Sequence, residues 1–278
     1  MRYENPKLNY GIKSAIKKAL SNTNQSTTKN LFAVDWENFF KKTWNIRPKL
    51  LGSRLGATKT YSAMDFHSGL SSQLYSVLDI KVFRRHKTLP LRVFTKSISN
   101  HERELQYSKL RTLLKSKNST VVVSFLEKYH SRIAQNCAAL SKLFGARVNC
   151  NAYFTPAKSQ GPRIHWDDHE VLILQISGTK LWKVYEKAPQ EELSQKYEYA
   201  LKTYRNAKLL LETELKPGDL LYIPMGYLHE AKTKSSHSLH LTFGVNSYSN
   251  HFKERERWQP LLEWIYKKRN QSFSRRIG

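Results

Sequence analysis

Residues 164–185, IHWDDHEVLILQISGTKLWKVY, hold the most specific pattern in the chain. They place His165 and Asp167 two positions apart at the start of a β-rich run, and side chains two apart on a strand leave it on the same face. The spacing therefore predicts an imidazole and a carboxylate side by side. With a second imidazole, such a pair forms the two-histidine, one-carboxylate set that holds non-haem Fe(II).

A second stretch supplies the other imidazole. Residues 215–231, LKPGDLLYIPMGYLHEA, contain turn signals at 217–218 and 224–226 on either side of a short apolar strand. The second turn delivers His229 to the start of another strand. Two strands that are distant in sequence and bring ligands to one wall are typical of a small antiparallel barrel. The sequence therefore predicts a three-ligand metal site inside such a barrel.

At these residues the chain resembles a known family. The run YFTPAKSQGPRIHWDDHEVLILQISGTKLWKVY (153–185), the motif PGDLLYIPMGYLH and the strand SLHLTFGV (238–245) resemble the JmjC-type cupins of the ribosomal-oxygenase group, which are Fe(II)- and 2-oxoglutarate-dependent hydroxylases. The resemblance covers residues 31–248 and is strongest over 149–245. It implies an α+β fold in which N-terminal helices cover a double-stranded β-helix, the cupin or jelly-roll barrel, and a short helix follows it.

The resemblance also implies the roles of individual residues. The residues implied to bind the metal and carry the catalysis are His165, Asp167 and His229. Lys180, in SGTKLW, stands where the family has a basic residue that pairs with the far carboxylate of 2-oxoglutarate, and a dicarboxylate inside a barrel requires such a charge-assisted partner. The residues implied to add hydrogen bonds to the co-substrate are Asn151, Tyr153 and Thr242.

Five further histidines lie near these motifs or upstream of them. His169 shares the strand face of the ligand pair by alternation, and we expect it to line the site rather than to bind the metal. His240 shares a face with Thr242, so it is either a pocket residue or a hydrogen-bonded core histidine. His67, His86 and His101 lack the spacing of metal ligands, and no role is assigned to them.

The implied activity is hydroxylation of an amino-acid side chain in a protein or peptide, with Fe(II) as cofactor and 2-oxoglutarate and dioxygen as co-substrates. The substrate class is a ribosomal protein or a biosynthetic peptide. Two alternatives stay open at the level of sequence. One is a catalytically silent cupin that acts as a basic RNA- or protein-binding module. The other is an N-methyl-lysine demethylase, because hydroxylation of an N-methyl carbon releases formaldehyde.

The chain is expected to divide into three parts. Residues 1–30 form a basic N-terminal segment, with an amphipathic helix over 10–20, and a linker. Residues 31–248 form the catalytic domain, which includes a charged insertion between 183 and 213 whose tyrosines are candidates for substrate contact. Residues 249–278 form a short helix and a basic tail, where larger members of the family continue into a dimerisation region. The oligomeric state therefore stays open.

Charge is the main compositional signal. The 278 residues contain 47 Lys and Arg against 22 Asp and Glu, a net charge of +25. Such an excess favours a polyanionic neighbour such as RNA or ribosomal material, although a generally basic proteome is an equal explanation. Two cysteines, Cys137 and Cys150, form neither a metal motif nor a disulfide framework. With no apolar run of membrane-spanning length, these features predict a cytoplasmic enzyme without a membrane partner.

Upstream of the barrel, the pattern predicts several elements. Asp35 is expected to cap a helix whose aromatic residues recur from Trp36 to Trp44 and cover one end of the barrel. Strands are expected at 80–83, 91–94 and 121–123. A long helix is expected over residues 124–144, ended by Gly145.

Overall fold

The computed structural model describes residues 32–53, 60–99, 102–188 and 207–246. Its α-helices within these ranges are α1 (Trp36–Lys42), α2 (Ala63–Ser71), α3 (Tyr107–Lys115) and α4 (Ser131–Phe144). Its strands are β1 (Lys49–Ser53), β2 (Ile80–Arg84), β3 (Lys87–Thr88), β4 (Thr95–Ser97), β5 (Arg103–Leu105), β6 (Ser119–Val123), β7 (Arg147–Thr155), β8 (Glu170–Gly178), β9 (Lys180–Lys187), β10 (Leu209–Leu215), β11 (Asp219–Ile223), β12 (Tyr227–Lys232) and β13 (Ser238–Asn246).

Several predictions concern residues outside these ranges. They are the helix over 10–20, the insertion residues 189–206 with Tyr197, Tyr199 and Tyr204, and the C-terminal helix within 249–278. The division of the chain into residues 1–30, 31–248 and 249–278 therefore remains a prediction.

Two antiparallel sheets form the barrel. The larger has eight strands in the order β1-β11-β8-β13-β7-β6-β2-β3, and the smaller has three in the order β10-β9-β12. β13 lies in the middle of the larger sheet and pairs with β7 on one side and β8 on the other. The small sheet packs on the inner face of the large one through an apolar cluster that includes Ile173, Trp182 and Leu221. This arrangement confirms the predicted α+β double-stranded β-helix.

β8 explains why the central sequence is so continuously apolar. Seven successive residues of this strand, from Glu170 to Ile176, are buried. Val171 and Ile173 point into the barrel, whereas Leu172 and Leu174 belong to the outer core between the large sheet and the helices. Because both faces of the strand are covered, each of these side chains contributes about 2 kcal/mol of burial free energy.

The helices α1 and α4 cover the outer face of the large sheet. Asp35 caps α1 as predicted, accepting a hydrogen bond from the Asn38 backbone amide at 3.1 Å. Phe39 then packs edge-on against Tyr222 with ring centroids 4.9 Å apart. Helix α4 ends at Gly145, whose φ of 61° is the left-handed conformation expected of a glycine cap. The predicted aromatic helix and the predicted glycine cap are both confirmed, but α1 covers the outer face of the large sheet rather than one end of the barrel.

Two upstream predictions were wrong. The segment 91–94 is not a strand: Leu91–Val93 is a 3-10 helix that follows Pro90, and a short apolar run does not distinguish the two. The helix predicted over 124–144 is interrupted, because Phe125 takes a left-handed φ of 54° before the 3-10 turn Leu126–Lys128. The predicted strands at 80–83 and 121–123 are confirmed as parts of β2 and β6.

The His-x-Asp pair also differs from its prediction. It lies in the loop before β8, which begins only at Glu170, and His165 joins the sheet through a single isolated bridge to His229. The alternation argument therefore does not apply to Asp167, which is placed by its own loop contacts.

Two further features concern the cysteines and the helices. Cys137 and Cys150 are both buried free thiols. Within the described ranges, none of the helices has the length and apolarity needed to cross a membrane.

Candidate metal and co-substrate site

Two segments that are distant in sequence meet at His165 and His229. The backbone amide of His165 donates to the His229 carbonyl at 3.1 Å, and the His229 amide donates to the His165 carbonyl at 2.8 Å. This reciprocal pair fixes the two residues side by side, with ring centroids 4.3 Å apart. The loop before β8 and the strand β12 are thereby joined at the residues that carry the imidazoles.

Each imidazole is oriented by a contact of Nδ1 with a backbone carbonyl, which makes Nε2 the nitrogen that a metal would take. His165 Nδ1 lies 2.8 Å from the Arg163 carbonyl oxygen, and His229 Nδ1 lies 3.0 Å from the Tyr227 carbonyl oxygen. A carbonyl oxygen only accepts, so Nδ1 is the protonated nitrogen in both rings. The lone pair of Nε2 is then available, as in metal sites where a second hydrogen bond orients the ligand.

Asp167 faces these two nitrogens. Its carboxylate oxygens lie 4.0 Å from His165 Nε2 and 3.5 Å from His229 Nε2. The Asp167 carbonyl accepts from the Gly226 amide at 2.9 Å, which ties the loop to the turn before β12. Gly226 has a φ of 81°, a conformation that glycine adopts without strain. The predicted turn thus positions Asp167 as well as His229.

The electrostatics suit a divalent cation. Burial lowers the pKa of His229 to about 4, so this imidazole is neutral at neutral pH. Burial alone would raise the pKa of Asp167, but His165 and His229 outweigh it and the pKa is lowered. One ligand atom from each of the three residues lies within 4.8 Å of the others. Two imidazoles and one carboxylate fit a non-haem Fe(II) ion.

The three residues open into a cavity of about 580 Å³ between the two sheets. The wall from the large sheet includes Tyr153, Val171, Ile173, His240 and Thr242, and the wall from the small sheet includes Lys180, Trp182 and Ala231. The remaining wall comes from the β2–β3 hairpin and the loop 161–165. His86, in that hairpin, lies with Nδ1 3.2 Å from the Gly161 carbonyl oxygen. A hydrogen bond therefore joins the hairpin to the loop that leads to His165.

Lys180 is a buried cation in this cavity. It is 2% exposed, and its Nζ donates to Thr155 Oγ1 at 3.1 Å. None of the carboxylates in the described residues forms an ion pair with it. Burial lowers the pKa of Lys180 to about 7. An ammonium in this position costs free energy unless an anion accompanies it, so the cavity is suited to an anionic ligand.

The β8–β9 turn places Lys180 at the first position of β9. Gly178 in this turn has a φ of 61°, and a Cβ atom there would lie 1.8 Å from the His237 carbonyl oxygen. Only glycine fits this close approach of two backbones. The glycine two residues before Lys180 is therefore required by geometry.

Residues 123–252 match the family described as the JmjC domain. This segment is a JmjC domain. It contains β7 to β13 and all seven residues that the sequence singled out for the metal and the co-substrate.

The chain is also similar in sequence to several known proteins. Rat ribosomal oxygenase 2 is 33% identical over 221 residues, which are 77% of this chain and 45% of the relative. Human ribosomal oxygenase 1 is 38% identical over 141 residues, which are 50% and 21% of the two chains. The bifunctional lysine-specific demethylase and histidyl-hydroxylase NO66 of Drosophila persimilis is 38% identical over 135 residues, 48% and 19%. The chain thus spans less than half the length of these relatives.

A solved structure supports the fold. The ribosomal oxygenase YcfD of Escherichia coli, in complex with cobalt and 2-oxoglutarate, superposes with a TM-score of 0.54 at 19% identity, over 85% of this chain and 57% of that one. The sequence predicted a cupin barrel and a resemblance to ribosomal oxygenases. The solved structure confirms the fold, and the relatives above confirm the resemblance.

The structure brings six of the seven predicted residues to one cavity. Tyr153 and Thr242 line it together with Lys180 and the three metal-ligand candidates. Asn151 is the exception: it is not one of the described residues that line the cavity. It lies on the same strand as Tyr153, and its Oδ1 accepts from the Phe125 backbone amide at 3.0 Å. In the JmjC domain this side chain therefore supports the left-handed turn before α4.

Two cavity residues carry unsatisfied polar atoms. His240 stacks on Tyr153 with ring centroids 5.0 Å apart, and its Nδ1 has no partner within the described residues. The indole nitrogen of Trp182 is likewise without one there. The cavity position of His240 matches the pocket alternative. Trp182 was missed, although alternation along β9 from Lys180 signalled it.

Other histidines are placed as follows. His169 does not line the cavity wall within the described residues, and its Nδ1 lies 2.9 Å from Asp168 Oδ1. His86 was assigned no role but lines the cavity. Its isolated position in a basic hairpin gives no sequence signal, because the contact with Gly161 spans 75 residues.

A buried carboxylic acid supports the JmjC domain beneath the site. Glu170 is fully buried, accepts a hydrogen bond from the Tyr222 hydroxyl, and Tyr222 accepts in turn from the Asn45 amide at 3.0 Å. Burial raises the pKa of Glu170 to about 7 against these hydrogen bonds. The folded state therefore holds this proton at pH values where the unfolded chain has released it.

This proton predicts a pH dependence of stability. The contribution of Glu170 is complete below about pH 4.5 and is lost as pH rises to about 7, at a cost of up to about 3 kcal/mol. Glu170→Gln should remove this slope and give the more stable protein at pH 8. Urea unfolding across that range measures it, with the exposed Glu102→Gln as control. Equal slopes in the wild type and Glu170→Gln would show that Glu170 is ionised in the folded state.

Proposed function

We propose that this chain is an Fe(II)- and 2-oxoglutarate-dependent dioxygenase that hydroxylates an amino-acid side chain in a protein or peptide. The observation that carries the proposal is the placement of Lys180, a buried lysine with no ion-pair partner among the described residues, in the same cavity as His165, Asp167 and His229. One group suits a divalent metal and the other suits a carboxylate. Such a pair of sites within one cavity is what this chemistry requires.

In the proposed mechanism, His165, Asp167 and His229 hold the metal. Bound there with 2-oxoglutarate and dioxygen, Fe(II) supplies the oxidising power for breaking an unactivated C–H bond. The chain's own share is orientation and the exclusion of water. The Arg163 and Tyr227 carbonyls fix the imidazoles with Nε2 inward, and the turn at Gly226 fixes the carboxylate.

Lys180 is proposed to hold the far carboxylate of 2-oxoglutarate. Its burial and its lack of a carboxylate partner within the described residues support this role. Thr155 already accepts from its Nζ and would orient it. Tyr153 and Thr242 are proposed to add hydrogen bonds, as predicted, while the proposed role of Asn151 has less support because its Oδ1 is engaged by Phe125.

The proposed substrate is a side chain of a protein or peptide, with ribosomal proteins as the first class to test. The names of the rat and human relatives, ribosomal oxygenases, support this choice. We also propose that a basic surface of the chain approaches ribosomal RNA. The proposed compartment is the cytoplasm. The buried free thiols and the reducing conditions that Fe(II) requires support that location.

The two alternatives are less well supported. A silent binding module has no physical need for a buried ammonium and two converging imidazoles. A demethylase must admit a cationic methyl-lysine. Among the described residues that line the cavity, Asp167 is the single carboxylate, and Lys87 and Arg163 add positive charge. This charge favours a neutral target side chain, and hence hydroxylation.

Anaerobic titration tests the proposal. Fe(II) and 2-oxoglutarate added together to the full chain should give a weak visible charge-transfer absorption, which His229→Ala should abolish. His237→Ala, which changes an exposed histidine, is the matched control and should keep the band. A folded wild-type protein that gives no absorption would contradict the proposed metal and co-substrate chemistry.

A further inference from the structure

Seven exposed cations lie on the segments that form or adjoin one side of the cavity. We call them the basic rim: Arg84, Arg85, Lys87, Lys117, Lys158, Arg163 and Lys232. They come from four segments, namely the β2–β3 hairpin, the connection from α3 to β6, the connection from β7 to β8, and the end of β12. Lys87 and Arg163 also line the cavity. The rim is therefore continuous with the mouth of the proposed active site.

Hydrogen bonds fix these segments to one another. The Arg85 amide donates to the Asn118 carbonyl at 2.9 Å, and the Asn118 amide donates to Ser159 Oγ at 2.9 Å. The Lys158 amide donates to the Lys234 carbonyl at 2.7 Å. With the contact between His86 and Gly161, these bonds link all four segments. The cations thus stand on a connected scaffold rather than on independent loops.

Two of the cations occupy positions that favour glycine. Arg85 has a φ of 49° and Lys158 a φ of 52°. A left-handed conformation costs a residue with a side chain about 1 kcal/mol, so glycine would be the stable choice at both turns. Strained positions of this kind are a reason to look for a function of the side chain.

The rim carries uncompensated charge. None of its seven residues forms an ion pair with a described carboxylate. Lysines elsewhere on the surface do so, as in Lys96 with Glu104 at 2.7 Å and Lys128 with Asp79 at 3.2 Å. Even Lys234, next to the rim, pairs with Glu214 at 3.5 Å. Among the described residues, therefore, no carboxylate competes with an external partner for the rim.

We propose that the basic rim binds the phosphates of RNA and holds an RNA-associated substrate against the cavity mouth. Exposed Lys and Arg on turns are the groups that contact phosphates, whereas a peptide is typically held by a sheet edge or an apolar groove. The net charge of +25 supports the same partner. This inference rests on the proposed function for its purpose, but RNA binding itself requires neither metal nor turnover.

The test measures binding of a short fluorescein-labelled RNA hairpin to the metal-free full chain by anisotropy across a salt series. Binding should weaken as salt rises, with a log–log slope of about −3 or steeper. Arg85→Glu with Lys158→Glu should weaken it about tenfold and reduce the slope by about 2. The control is Lys42→Glu with Arg147→Glu, the same charge change on α1 and at the far end of β7.

A second pair of substitutions protects the test against misfolding. Arg85→Gly with Lys158→Gly removes both cations at positions where glycine is unstrained, so RNA affinity should fall while the thermal midpoint is kept. If RNA binding weakened equally in the rim and control variants, net charge alone would explain the effect and the proposal would be overturned. So would wild-type affinity in both rim variants, or competition by a polyglutamate peptide as strong as that by unlabelled RNA. The charge-transfer absorption, measured without RNA, reports separately on the metal chemistry.

Discussion

Asp167→Ala should strongly weaken Fe(II) binding and abolish the formation of succinate from 2-oxoglutarate. Asp167 is the one carboxylate among the described residues that faces both imidazoles, at 4.0 and 3.5 Å. Its loss removes a ligand atom and the charge that offsets a divalent cation. We expect metal affinity to fall by about a thousandfold, which corresponds to about 4 kcal/mol. Calorimetric titration with Fe(II) under anaerobic conditions and a succinate assay measure the two effects.

The matched control is Asp168→Ala. Asp168 is the next residue and its side chain is 82% exposed. Asp168→Ala removes the same charge, but the Asp168 side chain has no ligand atom that faces the imidazoles. Metal affinity should therefore change by less than about threefold. The fold of both variants is followed by circular dichroism. Normal succinate formation by Asp167→Ala would refute the proposed ligand set, and an equal loss in both variants would trace the effect to local charge.

Lys180→Met should raise the concentration of 2-oxoglutarate needed for half-saturation by about a hundredfold, because a charge-assisted hydrogen bond to a carboxylate contributes about 2–3 kcal/mol. Methionine keeps the volume but cannot carry charge. Without 2-oxoglutarate, the variant should be no less stable than the wild type, since it removes a buried cation that has no anionic partner in the described residues. Titration calorimetry and urea unfolding measure the two quantities.

Lys183→Met is the control for this substitution. Lys183 lies on the same strand but on the opposite face, where it pairs with Glu212 at 3.5 Å. We expect its 2-oxoglutarate requirement to stay within about twofold of the wild type. If Lys180→Met bound 2-oxoglutarate as well as the wild type, the co-substrate would have to be held by other groups.

The affinity for 2-oxoglutarate should also depend on pH. Burial lowers the pKa of Lys180 to about 7, and a bound carboxylate favours the protonated form. Binding is therefore strongest below pH 7 and weakens as pH rises above it, with uptake of a proton. Calorimetry in buffers of different ionisation enthalpy detects that proton. Lys180→Met should show no such uptake, and a wild type without it would place the Lys180 pKa well above 7 before binding.

The site was largely predictable because its members lie in short motifs. The His-x-Asp pair and the PMGYLH turn identified the three residues whose ligand atoms the structure brings together, although the premise of a continuous strand was wrong. Hydrogen bonding of the loop to Gly226, rather than strand alternation, places Asp167. No local pattern predicts a contact that joins residues 59 positions apart.

Long-range packing accounts for what the sequence did not predict. His86 enters the cavity wall because the β2–β3 hairpin is bonded to Gly161, and the buried Glu170 is matched by Tyr222 from a strand 52 residues away. Both depend on the order of strands in the large sheet. The continuous apolar run of β8 and the glycine turns, by contrast, depend on residues that are close in sequence, so they could be predicted.

The reciprocal backbone pair between His165 and His229 has a consequence for protein engineering. The strands on either side of residues 189–206 are fastened to the barrel: Ala188 donates to the Gly226 carbonyl at 2.9 Å, and Glu186 donates to the Lys208 carbonyl at 2.9 Å. These hydrogen bonds hold the residues on both sides of 189–206. Exchanging this stretch for a segment of another length should therefore carry little entropic cost. We expect His165 and His229 to keep their places, so new recognition sequences could be grafted here next to the proposed metal site.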